Sequence, residues 1–224
     1  MISTKDIPTG GGNTPKTLQP GNTSVKISSI KLDKFPWGND AYHVVLSCEG
    51  VDQGADFEGF FIDKEKEALG RHAGQVGNIR SGQWAYETKD LPSGVHIDRD
   101  VEITKFLKNL AVAVGFNDWY EGQDGKHATI ESLIDKLNED APFEGKFINV
   151  CLGGREYENK GGYTNYDLFF PRFSKSGVPF EAMDVPTSKL LAFNSDSHII
   201  KKKVKEISEF EASASGAASE DFTL

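Results

Sequence analysis

The chain has 224 residues, with 25 Lys and Arg against 34 Asp and Glu, for a net charge of −9. Hydrophobic residues make up 38% of it and aromatics 11%, which is the composition of a folded protein; a disordered chain is poor in such residues. At about 150 residues per domain, the length allows one large domain or one domain with long extensions. No apolar run reaches the ~18 residues of a membrane helix. The N-terminus carries no apolar signal core, so no membrane association is expected, and the expected location is the cytoplasm. Taken whole, the acidity argues against nucleic-acid binding, which usually leaves a basic footprint.

Residues 1–22 hold Gly10-Gly11-Gly12-Asn13, Pro8, Pro15 and Pro20, a composition that predicts a flexible leader. Residues 25–32 alternate with a phase slip at Ser28-Ser29: Val25 and Ile27 lie in one register, Ile30 and Leu32 in the other. One extra residue in a strand is the signature of a β-bulge. A turn over 35–40 leads to a second strand over 42–48, with Tyr42, Val44, Leu46 and Cys48 on one face. Residues 57–63 read as a third strand, bent at Gly59. Residues 75–80 and 83–87 read as short strands or a hairpin around Ser81-Gly82.

Residues 100–114 form the clearest helix. Val101, Ile103, Phe106, Leu107, Leu110 and Val114 make its apolar stripe, Asp100 is placed to cap it and Gly115 to end it. A second helix over 129–137 presents Ile130, Leu133, Ile134 and Leu137 on one side. Strands over 147–152 and 163–170 are joined through Asn159-Lys160-Gly161-Gly162, whose Asn and Gly supply the positive φ of a hairpin turn. Residues 174–200 read as an irregular wrap with a short strand near 190–193. Residues 201–205 form a basic hinge and 206–224 a Ser-, Ala- and Glu-rich disordered tail.

Three strands, a helical insertion and two more strands is the order of a five-stranded Greek-key barrel of the OB type. The expected fold is therefore mainly β with inserted helices (α+β): a domain over 23–200 with its helical insertion at about 100–140, between strands three and four. An immunoglobulin-like sandwich, disfavoured by the central helices, and an α+β sheet with helices on one face are the alternatives.

Catalytic motifs are missing. Gly122-Gln123-Asp124-Gly125-Lys126 lacks the spacing of a phosphate loop, and His127 stands where Ser or Thr would follow. There is no GxSxG, and the scattered His and two Cys form no metal-ligand spacing. Cys48 and Cys151 read as buried thiols. Glu156 and Glu158 read as the solvated face of a strand. No enzyme activity, cofactor or metal is expected.

The hairpin carries the chemistry. Over 145–180 the bases Lys146, Arg155, Lys160, Arg172 and Lys175 outnumber the acids Glu156, Glu158 and Asp167 by two. Single-strand binders need this mixture, because aromatic faces stack on unpaired bases while cations follow the backbone. Trp37, Tyr157 and Tyr163 are the candidates for stacking. Strand alternation sends about half of the hairpin's aromatics, Tyr163, Tyr166, Phe169 and Phe170, inward. In the tail, Glu206, Glu209, Glu211, Glu220 and Asp221 face no base, and Phe222 stands near the end. An acidic flexible segment tipped by an aromatic suits docking to a basic, apolar pocket.

The bulged first strand, the hairpin and the tail together resemble phage-encoded single-stranded DNA-binding proteins of the OB-fold type. The block Gly154-Arg155-Glu156-Tyr157-Glu158-Asn159-Lys160-Gly161-Gly162-Tyr163-Thr164-Asn165-Tyr166 is similar to a stretch in proteins of gut Bacteroidetes phages taken to be such binders. The resemblance implies a non-catalytic role in phage DNA replication or recombination, in the host cytoplasm, with little sequence preference. It implies DNA contacts from the face of strands two and three and from the loop joining strands four and five. Here those are Tyr42, Phe57, Phe60 and residues 155–163, with Tyr166 beside them. It implies a tail, Glu220, Asp221 and Phe222, that docks replication or recombination proteins. The tails of that family end in a dense acidic run and a final Phe, whereas this one ends Phe222-Thr223-Leu224. A protein-interaction or virion structural module without nucleic-acid binding is the alternative. A nuclease subunit would need an acidic metal cluster that the sequence does not display.

The charge divides unevenly. Removing the five acids of the tail from −9 leaves −4 over residues 1–205, so the acidity of the whole does not exclude a polyanionic ligand.

Overall fold

The computed structural model describes residues 17–35, 40–50, 75–172, 179–182 and 193–202. In chain order the elements are β1 (Gly21–Lys34), β2 (Tyr42–Gly50), β3 (Val76–Arg80), β4 (Lys89–Asp90), β5 (His96–Ile97), α1 (Arg99–Val114), α2 (Asn117–Glu121) and α3 (Ile130–Asp140). They are followed by β6 (Phe147–Glu158), β7 (Thr164–Phe169), β8 (Phe180–Ala182), α4 (Ser195–His198) and β9 (Ile199–Ile200). The fold is mainly β with a mixed sheet and a few helices.

Five strands pair around a ring. β1 runs antiparallel to β2, and β2 to β3; β3 joins β7 in parallel through Ile79 opposite Leu168 and Arg80 opposite Phe169. β7 is antiparallel to β6, and β6 returns to β1, so the sheet closes on itself. The register of β1 against β2 shifts between Ile27 and Ser29, where the apolar phase slips. Val25 and Ile27 before the bulge, and Ile30 after it, are all buried. The extra residue lets one strand keep its apolar side inward while it bends. β6 pairs with β1 only as far as Lys26. Beyond the bulge, Asn138 of α3 serves the freed edge: its Oδ1 accepts from the Ile30 amide at 3.0 Å and its Nδ2 donates to the Ile30 carbonyl.

The third strand of the ring is Val76–Arg80, which pairs with residues 45–49 of β2; residues 57–63, read as that strand, lie outside the described residues. The signal in β3 is weak because one of its inward positions is Gly77. A Cβ there would lie 3.0 Å from the Leu18 Cβ and 3.1 Å from the Leu168 side chain. Leu18, within the segment read as a leader, is fully buried in that gap, and its amide donates to the Val76 carbonyl at 3.0 Å. Residues 17–22 thus belong to the fold.

The helices lie between β3 and β6 in the chain, as expected. Asp98, not Asp100, caps α1, accepting from the amides of Asp100 and Val101 at 2.8 and 3.1 Å. Shifting the cap by two residues leaves Val101 in the first turn, exposed and outside the stripe. Gly115 ends α1 at φ 81°. Thr129 caps α3, accepting from the Ser132 amide at 3.3 Å. Phe106 of α1 packs on Phe170 and Phe180 at ring-centre distances of 6.0 and 5.6 Å, joining the helical layer to the interior of the ring. No helix among the described residues is long and apolar enough to cross a membrane.

At Gly153 of β6 an added Cβ would lie 2.8 Å from the His198 carbonyl oxygen and 2.8 Å from the Phe169 ring. Backbone cannot give way as a side-chain tip can, so Gly153→Ala is expected to lower stability by about 1–3 kcal/mol, as overpacking does. Urea unfolding of the two proteins checks this; equal midpoints would contradict it.

Candidate functional site

The outer face of the ring follows from strand alternation. On β2 the residues Val44, Leu46 and Cys48 join the core, which turns His43, Val45 and Ser47 outward. The same logic turns Asn78 and Arg80 outward on β3, Asp167 and Phe169 on β7, and Arg155 and Tyr157 on β6. Register then brings them side by side: Val45 opposite Arg80, Arg80 opposite Phe169, and Arg155 opposite Asp167.

Of these, His43, Asp167 and Phe169 floor a notch of about 320 Å³, walled by Phe35, Trp84 and the side chains of Arg80 and Arg155. Trp84 stands on the rim at 70% exposure and Phe35 at 42%. Arg80 faces Asp167 at 3.7 Å. Glu87, also in the wall, is bonded to Lys89. Arg155 has no ion-pair partner among the described residues, and neither has Lys160 in the hairpin turn. That turn is built by Asn159, whose Oδ1 accepts from the amides of Gly161 and Tyr163, with Gly162 at φ 78°. It projects Tyr163 at 73% exposure. Tyr157 is exposed on the adjoining strand.

His43 lines the notch yet is only 5% exposed. Its Nδ1 has no hydrogen-bond partner among the described residues. Its ring meets Phe35 edge-on, with centroids 6.4 Å apart. Burial lowers its pKa to about 4, helped by the positive charges of Arg80 and Arg155 and opposed by Asp33. At neutral pH it is an uncharged imidazole in the lining of the notch.

The sequence-predicted residues fall into three groups. Arg155 and Tyr157 share the outer face with the notch, and Lys160 and Tyr163 stand on the turn beyond it. Tyr42, Lys146 and Tyr166 are engaged elsewhere. The Arg99 guanidinium covers the Tyr42 ring at 4.6 Å. Lys146 donates to the Gly115 carbonyl at the end of α1, at the far end of β6 from Arg155. Tyr166 packs against the core beside Gly154. Arg172 is exposed after β7. Trp37, Phe57, Phe60 and the tail residues Glu220, Asp221 and Phe222 lie outside the described residues.

Trp84, Phe35 and His43 were not among the predicted residues. The alternation that put Tyr42 and Val44 on one face already put His43 on the opposite one, which was the available signal. Trp84 sits in an irregular segment after β3, where periodicity is silent.

A second cavity, of about 510 Å³, lies against α1 and the start of α3, near Tyr120 and His127. Among the described residues no group of three or more His, Cys, Asp or Glu is placed to hold a metal ion. Cys48 and Cys151 are buried free thiols, the latter pushed up to about 12 by burial. No protein-family model matches the chain, and no curated protein matches it.

The folded pKa of His43, about 4, lies below its ordinary value of 6.5. As the pH falls the unfolded chain takes up the proton first, so stability present above pH 6.5 is lost on the way down to about 4. Between pH 7 and 4.5 this amounts to about 2–3 kcal/mol. His43→Leu is expected to remove that part of the acid destabilisation, read from urea midpoints at the two pH values. An unchanged difference between them would contradict the assignment.

Proposed function

We propose that the chain is a non-catalytic single-stranded DNA-binding protein whose five-stranded ring is a Greek-key barrel of the OB type. The strand path supports the fold reading: β1 bonded to both β2 and β6, a parallel β3–β7 pair, and helices inserted before β6. Barrels of this type bind oligonucleotides on the face of their second and third strands and in the loops beside it. In this chain that face carries His43 and Arg80, and the loop between the last two ring strands carries Lys160 and Tyr163.

The observation that carries the proposal is the coincidence of unpaired cations with exposed aromatics on one outer face. Arg155 and Lys160 supply charge for phosphates; Trp84, Tyr157 and Tyr163 supply rings for bases. Stacking contributes roughly 1–3 kcal/mol per base, so three rings make a useful site without hydrogen-bond readout. A role in phage DNA replication or recombination, within a host cytoplasm, belongs to the same proposal, as does docking of partner proteins by Glu220, Asp221 and Phe222.

Fluorescence anisotropy with a labelled oligo-dT tests it. Each phosphate contact lowers the logarithm of affinity by about 0.7 per tenfold rise in salt. Three cations, Arg155, Lys160 and Arg172, then give a weakening of roughly 40-fold between 50 and 300 mM salt. Trp84→Ala and Tyr157→Ala are each expected to cost about 1–3 kcal/mol of binding. Absent or salt-insensitive binding refutes the proposal.

The tail is tested separately. The chain ending at Lys205 is expected to bind oligo-dT at least as tightly as the full chain, since five uncompensated acids are removed. Weaker binding by the shortened chain would show that the tail contributes to DNA capture.

A further inference from the structure

We infer that the notch beneath Trp84 is a base-selective subsite that takes one guanine from the bound strand. The inference rests on the single-strand reading above and adds to it a preference that stacking and charge alone do not produce.

Three features separate the notch from a plain stacking platform. The first is depth. Phe169, buried to 6% exposure beside Gly153, floors a hollow of about 320 Å³, while Trp84 stands exposed at its rim. A base entering it is enclosed, whereas a base on Tyr163 lies open to solvent. The second is His43, a buried residue of the notch lining whose Nδ1 no described residue satisfies. A buried polar nitrogen without a partner costs stability, so a turn of the ring toward a bound base would recover that cost. The third is the set of hydrogen-bonding groups. Arg80 and Arg155 are planar donor forks, and Asp167, at 3.7 Å from Arg80, is an acceptor between them.

Guanine matches this set best. Its O6 and N7 accept from an arginine fork, the commonest specific contact of this kind. Its N1–H and exocyclic amine donate, and a carboxylate is the complementary acceptor. Adenine and cytosine lack the paired O6 and N7 acceptors. Thymine offers its O4 alone in their place. Arg155 has no ion-pair partner among the described residues to give up. Arg80 gives up only a long contact.

The test uses the full chain and four labelled nine-residue oligonucleotides: oligo-dT and the same strand with a central dG, dA or dC, read by anisotropy at one salt concentration. The dG strand is expected to bind about tenfold tighter than the other three, the effect of one good bidentate contact. Arg155→Lys keeps the charge and removes the fork. It is expected to abolish the dG preference, read as the ratio of dG-strand to oligo-dT affinity for the same variant. His43→Leu is expected to reduce the preference without changing the salt dependence. Equal binding of all four strands, or a dG preference that survives Arg155→Lys, overturns the guanine notch and leaves the single-strand reading intact. Failure of every strand to bind overturns both.

Discussion

A β-strand has two edges, so at any point along its length it can bond at most two neighbours. β6 bonds four partners by dividing its length. Over 148–150 it lies between β1 and β8; over 154–155 it lies between β7 and β9. The handover falls at Gly153 and Gly154. The His198 carbonyl and the Phe169 ring crowd the first, and Pro20 and Tyr166 crowd the second. Side chains at these positions would hold the two sets of partners apart. Without the handover β6 could not bond all four partners, and its pairings with β8 and β9 would be lost.

The same point divides the outward surface of the strand. Before it, the outward residues Asn149 and Cys151 are covered: Asn149 accepts from the Ser24 hydroxyl, and Cys151 lies 3.8 Å from the His198 ring. After it, Arg155 and Tyr157 are open to solvent. The glycine pair at the handover therefore also marks where the outer face begins. The helices do not intrude on that face. α1 turns Phe106 toward Phe170 and Phe180, and α3 spends Asn138 on the β1 edge.

Local pattern explains how much of this could be read in the sequence. The bulge was legible because a one-residue slip changes which side chains point inward, and burial enforces the change at Ile27 and Ile30. The hairpin was legible because Asn159 and Gly162 meet a backbone demand that few other residues meet. Residues 75–80 were legible as a short strand but not as the third strand of the ring, because its inward position at Gly77 is shaped by Leu18, 59 positions earlier in the chain. Tyr42 fails as a free platform for a similar reason: Arg99, fixed by α1, reaches across to its ring. Periodicity reports which face a residue occupies and is blind to what a distant element later lays over it.

Charge shows the same distinction between inventory and arrangement. Surface ion pairs contribute little stability, typically below about 1 kcal/mol, but they cancel local fields. Around the hairpin the acids are already taken: Glu158 bonds the Lys202 ammonium at 2.6 Å, Glu156 accepts from the Lys202 amide at 3.2 Å, and Asp167 faces Arg80. In the notch wall, Glu87 is held by Lys89. These pairings leave Arg155 and Lys160 without an opposing charge among the described residues. An incoming anion therefore meets two free cations beside exposed rings, on a chain whose net charge of −9 would by itself predict repulsion. Because the acids beside them are engaged through contacts within the chain, the local field on this face is set by the fold that pairs them, and composition alone could not have revealed it.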